Sequence, residues 1–237
     1  MSGRLVGVGV GPGDPELLTI KGLHALREAD EVFVPVADTG EVGRAEATVR
    51  EYVDQKRVMR LVFALSDDEE ARIRNWENAA REVSTPLSEG KSCAFATIGD
   101  PNVYSTFTYL ARTVRQYVPE VQIETVPGIT AMQDLASRSG SVLLEGEERL
   151  ALLPFTAGEE RLREALDSFE TVACYKGGSR MDAVISAAEE AGRLEGAIYG
   201  ARMGLDGETI APAREMSGRE APYLSTVIFT RKGAEFG

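Results

Sequence analysis

Short apolar, β-branched runs alternate with longer amphipathic stretches along the whole chain. The runs RLVGVGV (4–10), DEVFVPVA (30–37), RVMRLVFAL (57–65) and KSCAFATIG (91–99) read as strands. Between them, 14–29, 43–54 and 66–90 carry apolar residues at helical spacing. The first of these helices is expected to begin near Asp14, with Pro15 in its first turn. The third is expected to be capped by Ser66, with the acids of DDEE (67–70) in its first turn. A helix over 105–117 and a strand over 121–128 follow. After Pro127 the alternation resumes, with helices over 130–140, 159–169 and 181–192 and strands over 148–155, 170–178, 196–204 and 224–232. Strands separated by helices of this length predict an α/β fold with parallel or mixed sheets under covering helices. The stretch RQYVPEV around Pro119 is the natural break, giving two α/β lobes, 1–118 and 119–237.

Composition narrows the function. A chain of 237 residues that is 43% hydrophobic and 27% charged has enough apolar surface for a sizeable buried core. Its net charge of −12 argues against binding nucleic acid, where affinity comes from neutralising phosphates. A small anion, needing only a few local cations, stays possible. Cys93 and Cys174 lie in apolar runs, with neither metal-ligand spacing nor a disulfide framework. They are expected to be buried reduced thiols of a cytoplasmic protein. No apolar run approaches membrane-spanning length, and no secretory leader opens the chain, so no membrane partner is expected.

Three strand ends carry the candidate chemistry: GVGVGPGDPELLT (7–19), TIGDPNVYSTF (97–107) and ETVPGITAM (124–132). A strand that runs into so many glycines either turns tightly or lets something approach its backbone. The Gly-x-Gly spacing of the first suggests a dinucleotide turn. However, Pro12 and Asp14 stand where the phosphate-binding helix would begin, and an acid there competes with phosphate. The Gly-Lys-Ser/Thr ending of a P-loop is also missing. Taken singly, the second segment is a Gly-Asp-Pro turn with Ser105 or Thr106 as helix cap, and the third is a strand break with Thr130 as cap. His24 reads as a solvated or half-buried helix residue and Trp76 as a packing anchor or dimer surface.

In this order and spacing, GPGDPELLT, IGDPNVYST and VPGITA resemble the tetrapyrrole methylase family, the S-adenosylmethionine-dependent methyltransferases of corrin and sirohaem synthesis. The resemblance covers nearly the whole chain. Within the family, GDPNVYSTFTYL, YKGG, YGARMGLDGE and APYLSTVI are most similar to the branch that methylates carbon 20 of precorrin-2, or of its cobalt complex, cobalt-factor II, in cobalamin synthesis. The resemblance implies two lobes with S-adenosyl-L-methionine folded between them and a homodimer. The glycines would then let the loops pass close to ligands, without a phosphate cradle. Implied cofactor contacts are Pro12, Ile98, Gly99, Asp100, Val103, Ser105, Thr106, Thr130 and Ala131. From the second lobe they are Tyr175, Lys176, Tyr199, Gly200 and Ala201, with Ser225 and Thr226 beside them.

A polycarboxylate macrocycle asks for cationic donors. Arg112, Arg138, Lys176, Arg180 and Arg202 lie in or near the implicated segments, and two or more of them are expected to face the substrate. No residue stands out as a catalytic base, and no metal site is expected. The alternatives are a sister enzyme acting at another corrin position, a diphthamide-type methyltransferase, and a non-catalytic module that keeps the pocket. The YST after the Gly-Asp-Pro turn and the strand APYLSTV favour the carbon-20 branch, and the intact loops disfavour the last alternative.

Overall fold

A computed structural model describes residues 3–37, 40, 42–63 and 69–231. Ser66 and the first acids of DDEE, Asp67 and Asp68, lie outside the described residues. The chain divides into two compact units, Met1–Thr130 and Ala131–Gly237.

Unit 1 is built on five parallel strands, β1 (Arg4–Gly9), β2 (Glu31–Val36), β3 (Val58–Val62), β4 (Ser92–Thr97) and β5 (Gln122–Val126), in the order β3-β2-β4-β1-β5. Parallel strands covered on both faces need apolar residues in both phases of the pleat. Leu5, Phe33, Cys93 and Phe95 accordingly enter one core, and Val6, Val8, Val32, Val34, Ala94 and Ala96 the other. Helices α3 (Glu69–Ser88) and α4 (Phe107–Tyr117) close the first core with Val83, Leu87, Phe107 and Leu110. Helices α1 (Ile20–Glu28) and α2 (Arg44–Arg50) close the second with Leu26, Ala45 and Val49. Trp76 of α3 stacks on Tyr109 of α4 with ring centroids 4.7 Å apart. His24 is exposed on α1.

Two local expectations change. The expected helix at Asp14 is in fact a short 3-10 turn, Pro15–Leu17, opened by the Asp14 carboxylate, which accepts from the Glu16 N–H at 2.9 Å. The α-helix proper starts at Ile20, where the Thr19 hydroxyl accepts from the Gly22 N–H at 3.0 Å. The break falls after Thr130, beyond the expected one at 118/119, because β5 pairs with β1 from Arg4↔Gln122 to Val8↔Val126. Without β5, that side of β1 would present a row of unpaired backbone groups.

Helix α2 braces the first glycine loop. Glu46, 1% exposed, is held by Arg50 at 2.6 Å and Arg60 at 2.9 Å and accepts from the Gly43 N–H. A carboxylate buried so fully persists only with such partners. From the same segment, the Thr48 hydroxyl donates to the Gly13 carbonyl at 3.4 Å and the Tyr52 hydroxyl to the Pro15 carbonyl at 3.1 Å.

Unit 2 has a mixed sheet of β6 (Leu150–Pro154), β7 (Thr171–Tyr175), β8 (Ile198–Ala201), β9 (Thr209–Pro212) and β10 (Ser225–Phe229), in the order β6-β7-β10-β8-β9. Only β6 and β7 pair in parallel; β10 runs antiparallel to both β7 and β8. Helices α6 (Glu159–Ser168) and α7 (Met181–Glu190) contribute Leu162, Leu166, Val184 and Ile185 to a core shared with Val172, Tyr199 and Phe229. On the other face α5 (Ala131–Ser139) packs Leu135 against Met203 and Ile228. Strand β9 is not among the expected elements.

Candidate functional site

In unit 1, β4, β1 and β5 are neighbours, with Gly9 level with Thr97 and Val8 level with Val126. The three segments singled out in the sequence therefore leave the sheet side by side at its carboxyl edge. After β1 the chain passes to α1 on one face, and after β4 to α4 on the opposite face. Adjacent parallel strands that send their connections to opposite faces leave a crevice at their carboxyl ends, where open α/β sheets bind ligands.

The glycines at this edge serve the chain itself. A Cβ added at Gly9 would lie 2.5 Å from the Gly99 carbonyl oxygen and 2.6 Å from the Gly128 nitrogen. The first and second loops are zipped by Val10 N–H donating to the Thr97 carbonyl at 2.9 Å and Gly99 N–H to the Gly11 carbonyl at 2.7 Å. Gly9 and Gly128 thus let three backbones meet, whereas the expectation was that the glycines make room for a ligand. Gly99 differs, with φ of 68° and nothing within 4 Å of an added Cβ.

Asp100 ties the second loop to the third. One carboxylate oxygen accepts from the Asn102 N–H at 2.8 Å, the other from the Gly128 N–H at 3.0 Å. A following proline disfavours the helical region at Asp100, which suits a side chain that turns back to two backbone N–H groups. Asn102, which the sequence reading passed over, adds a donor to the Thr125 hydroxyl at 3.3 Å. The Ser105 hydroxyl is buried, bonds to the Thr97 hydroxyl at 3.0 Å and accepts from the Phe107 N–H at 3.1 Å. Ser105 therefore does the capping, and the Thr106 side chain makes no cap bond. Pro12 and Thr130 are buried; Ile98, Val103 and Thr106 are half-buried at the same edge.

In unit 2 the antiparallel pairing brings strand ends and starts to one edge. Tyr175 is level with Thr226, Ser225 with Ala201, and Ala201 with Thr209. The Lys176 N–H donates to the Ser225 carbonyl at 3.1 Å. The Tyr175 hydroxyl accepts from the Met132 N–H at 3.0 Å, fixing the start of α5, where Ala131 sits. The Ser225 hydroxyl is buried without a hydrogen-bond partner among the described residues. Tyr199, 1% exposed, and Ala201 belong to the core, so any contact they make with a ligand comes from the backbone. Gly200 and Thr226 are likewise buried in adjoining strands.

Among the described residues the non-glycine residues with positive φ are Tyr104 (49°), Lys176 (61°) and Arg202 (53°). Each follows a strand at one of these two edges. Such conformations cost roughly 1–3 kcal/mol apiece and persist where the surroundings over-determine them, which is characteristic of functional sites. Burial also pushes the Lys176 ammonium pKa down.

The structure sorts the candidate cations. Arg138 is held by Asp134 at 2.8 Å and Glu208 at 3.0 Å, and Arg180 by Glu159 at 2.6 Å with its guanidinium over Phe155. Arg112 on α4 and Arg202 after β8 are exposed and carry no carboxylate partner among the described residues. Cys93 and Cys174 are buried, and desolvation pushes both thiols up to about 12, too high for a nucleophile at neutral pH. Among the described residues no helix is long and apolar enough to cross a membrane.

Comparison with known proteins gives three kinds of match. A family model described as Tetrapyrrole (Corrin/Porphyrin) Methylases matches residues 4–216. A probable cobalt-precorrin-2 C(20)-methyltransferase of Methanocaldococcus jannaschii is 38% identical over 173 residues, covering 73% of this chain and 72% of the relative. A precorrin-2 C(20)-methyltransferase of Sinorhizobium sp is 33% identical over 235 residues, covering 95% and 94%. Among solved structures, the uroporphyrin-III C-methyltransferase of Thermus thermophilus complexed with S-adenosylhomocysteine superposes with a TM-score of 0.66 at 22% identity, covering 96% of this chain and 97% of that one.

Proposed function

The chain belongs to the tetrapyrrole methylase family, and from that we infer that it is an S-adenosylmethionine-dependent C-methyltransferase of corrin synthesis, acting at carbon 20 of precorrin-2 or of its cobalt complex. The observation that carries this reading is the full-length match to a relative named for that reaction.

The residues present fit the cofactor. The loops 9–19, 97–107 and 127–131 of the unit 1 edge offer backbone groups and the carboxylates Asp14, Glu16 and Asp100, and their sequences contain no Lys or Arg. That donor set suits a nucleoside cofactor without phosphate and would repel a pyrophosphate. In unit 2 the buried Ser225 hydroxyl, without a hydrogen-bond partner among the described residues, is a polar atom that a bound ligand can satisfy.

When bound, S-adenosylmethionine supplies a methyl group on a sulfonium, an electrophile that needs only alignment with a carbon nucleophile. In this reading Pro12, Ile98, Gly99, Asp100, Val103, Ser105, Thr106 and Thr130 of unit 1 line the cofactor's binding surface. In unit 2, described by itself, the family resemblance names Ala131, Tyr175, Lys176, Tyr199, Gly200, Ala201 and Thr226. Their roles divide by structure. Asp100 and Ser105 hold loops in place, Tyr175 fixes the start of α5, and Tyr199 and Ala201 offer backbone groups. Arg202 and Arg112 are the cations left to attract substrate carboxylates, and Lys176 adds a third. We place the protein in the cytoplasm as a homodimer, the assembly that the family resemblance implies.

Calorimetry tests the cofactor assignment. S-adenosylmethionine and its demethylated product are each expected to bind at one site per chain, with no heat from NAD. Binding of NAD with no response to either sulfur compound would overturn the reading.

A further inference from the structure

We propose that Arg138 and Glu208 form a clasp that fixes the turn 202–208 and thereby presents Arg202 to a carboxylate of the macrocyclic substrate. This proposal rests on the methyltransferase reading above. The turn joins β8 to β9 and contains three left-handed residues, Arg202 (φ 53°), Gly204 (72°) and Gly207 (78°). Two backbone bonds fold it, Leu205 N–H to the Arg202 carbonyl at 2.9 Å and Glu208 N–H to the Leu205 carbonyl at 3.1 Å.

Those bonds alone do not oblige an arginine to stay left-handed, and the Glu208 carboxylate adds the missing constraint. One of its oxygens accepts from the Gly204 N–H at 2.7 Å and from the Arg138 guanidinium at 3.0 Å. Arg138 is anchored in turn on α5, where its Nε donates at 2.8 Å to Asp134, which is 5% exposed. The turn is therefore tied across itself and to a helix. A residue in a costly backbone region persists only where its surroundings over-determine it.

The clasp also decides which cation is available. Arg138 lies between two carboxylates, so its charge is offset. Arg202 is exposed and has no carboxylate partner among the described residues. Its guanidinium lies along Gly207, with Nη1 3.4 Å from where a Cβ at that position would stand. In a chain of net charge −12, an uncompensated guanidinium held in one place is what a polycarboxylate needs to approach.

The test uses the whole protein and measures methylation rate against macrocycle concentration, with cofactor affinity in parallel. Glu208→Ala and Arg202→Ala are each expected to raise the macrocycle KM about tenfold, the scale of one charge-assisted contact, with little change in kcat or cofactor Kd. Glu208→Gln keeps an acceptor for the Gly204 N–H and should recover part of the loss. If Glu208 acts through Arg202, the double variant is no worse than Arg202→Ala alone. Additive losses, or equal losses in kcat and cofactor affinity, would overturn the proposal. Amide hydrogen exchange at Gly204 reads the clasp without any activity: it should quicken in Glu208→Ala, and an unchanged rate removes the clasp. If exchange quickens but the wild-type protein neither binds the cofactor nor methylates, the methyltransferase reading falls and takes the role of Arg202 with it.

Discussion

Gly128→Ala is expected to abolish measurable cofactor binding and to destabilise unit 1 by about 3 kcal/mol, the upper range for forcing a methyl group into a filled site. An added Cβ there would collide with the Gly99 carbonyl oxygen and lie 2.7 Å from the Gly9 carbonyl carbon and 2.8 Å from its Cα. All of these are backbone atoms, so no side chain can swing aside to relieve the clash. They belong to two other strand ends, Gly9 closing β1 and Gly99 just past β4, and β1, β4 and β5 are fixed in register by the sheet below. The third loop must therefore move away from the other two. That movement breaks the Gly128 N–H bond to Asp100 and changes the spacing of all three loops at the crevice. Cofactor titration together with denaturant unfolding checks this. A variant with wild-type stability and unchanged Kd would mean the three-backbone junction is not tightly packed.

Asp100→Ala should weaken cofactor binding at least tenfold while leaving the protein folded. Hydrogen bonds to a charged group are worth about 1.5–3 kcal/mol, and Asp100 makes two to backbone N–H groups. Because the residue is half-buried, the lower end of that range applies, and each tenfold corresponds to about 1.4 kcal/mol. Asp100→Asn retains a single acceptor oxygen, so it can serve Asn102 or Gly128 but not both, and its loss should be intermediate. Dissociation constants of the two variants, measured beside the wild type, order the effects. Equal affinity in all three would show that the second and third loops hold their positions without this carboxylate.

The parts of the structure with strong local signals were legible in the sequence. The apolar runs at the centre of unit 1 lie where periodicity places them, because β1, β2 and β4 are buried along most of their length, whereas the edge strands β3 and β5 are partly exposed. The loops were legible for the same reason, since glycine and proline interrupt otherwise regular runs. Strand β9, TIAP, was missed: it is four residues long, ends in proline, and exists because β8 offers it a ladder from Ala201↔Thr209 to Ile198↔Pro212. The start of α1 was read too early because Asp14 and Pro15 do open a helical turn, but a 3-10 one that Thr19 then supersedes. Proline at 119 drew the boundary forward, whereas the unpaired side of β1 recruits β5 into the first sheet.

The segments named as the candidate site do lie at two strand-end edges, but what their side chains bond to left little trace in the sequence. Asp100 and Ser105 were singled out as contacts, yet their polar atoms bond to the chain's own backbone and hydroxyls. The left-handed backbones of Lys176 and Arg202 gave no sign, because neither is glycine. Glu208 looked like one acid among many, since its partner Arg138 lies 70 residues away along the chain. Long-range ion pairs leave no periodic trace in sequence.

The central claim is methylation of the corrin precursor at carbon 20. Purified protein incubated with methyl-labelled S-adenosylmethionine and, separately, with precorrin-2 and its cobalt complex tests it most directly, with the product's labelled position read by carbon NMR. The account predicts one label per macrocycle, attached at carbon 20, with at least one of the two substrates. Label at another ring carbon, or no transfer to either macrocycle from a protein that binds the cofactor, would contradict it.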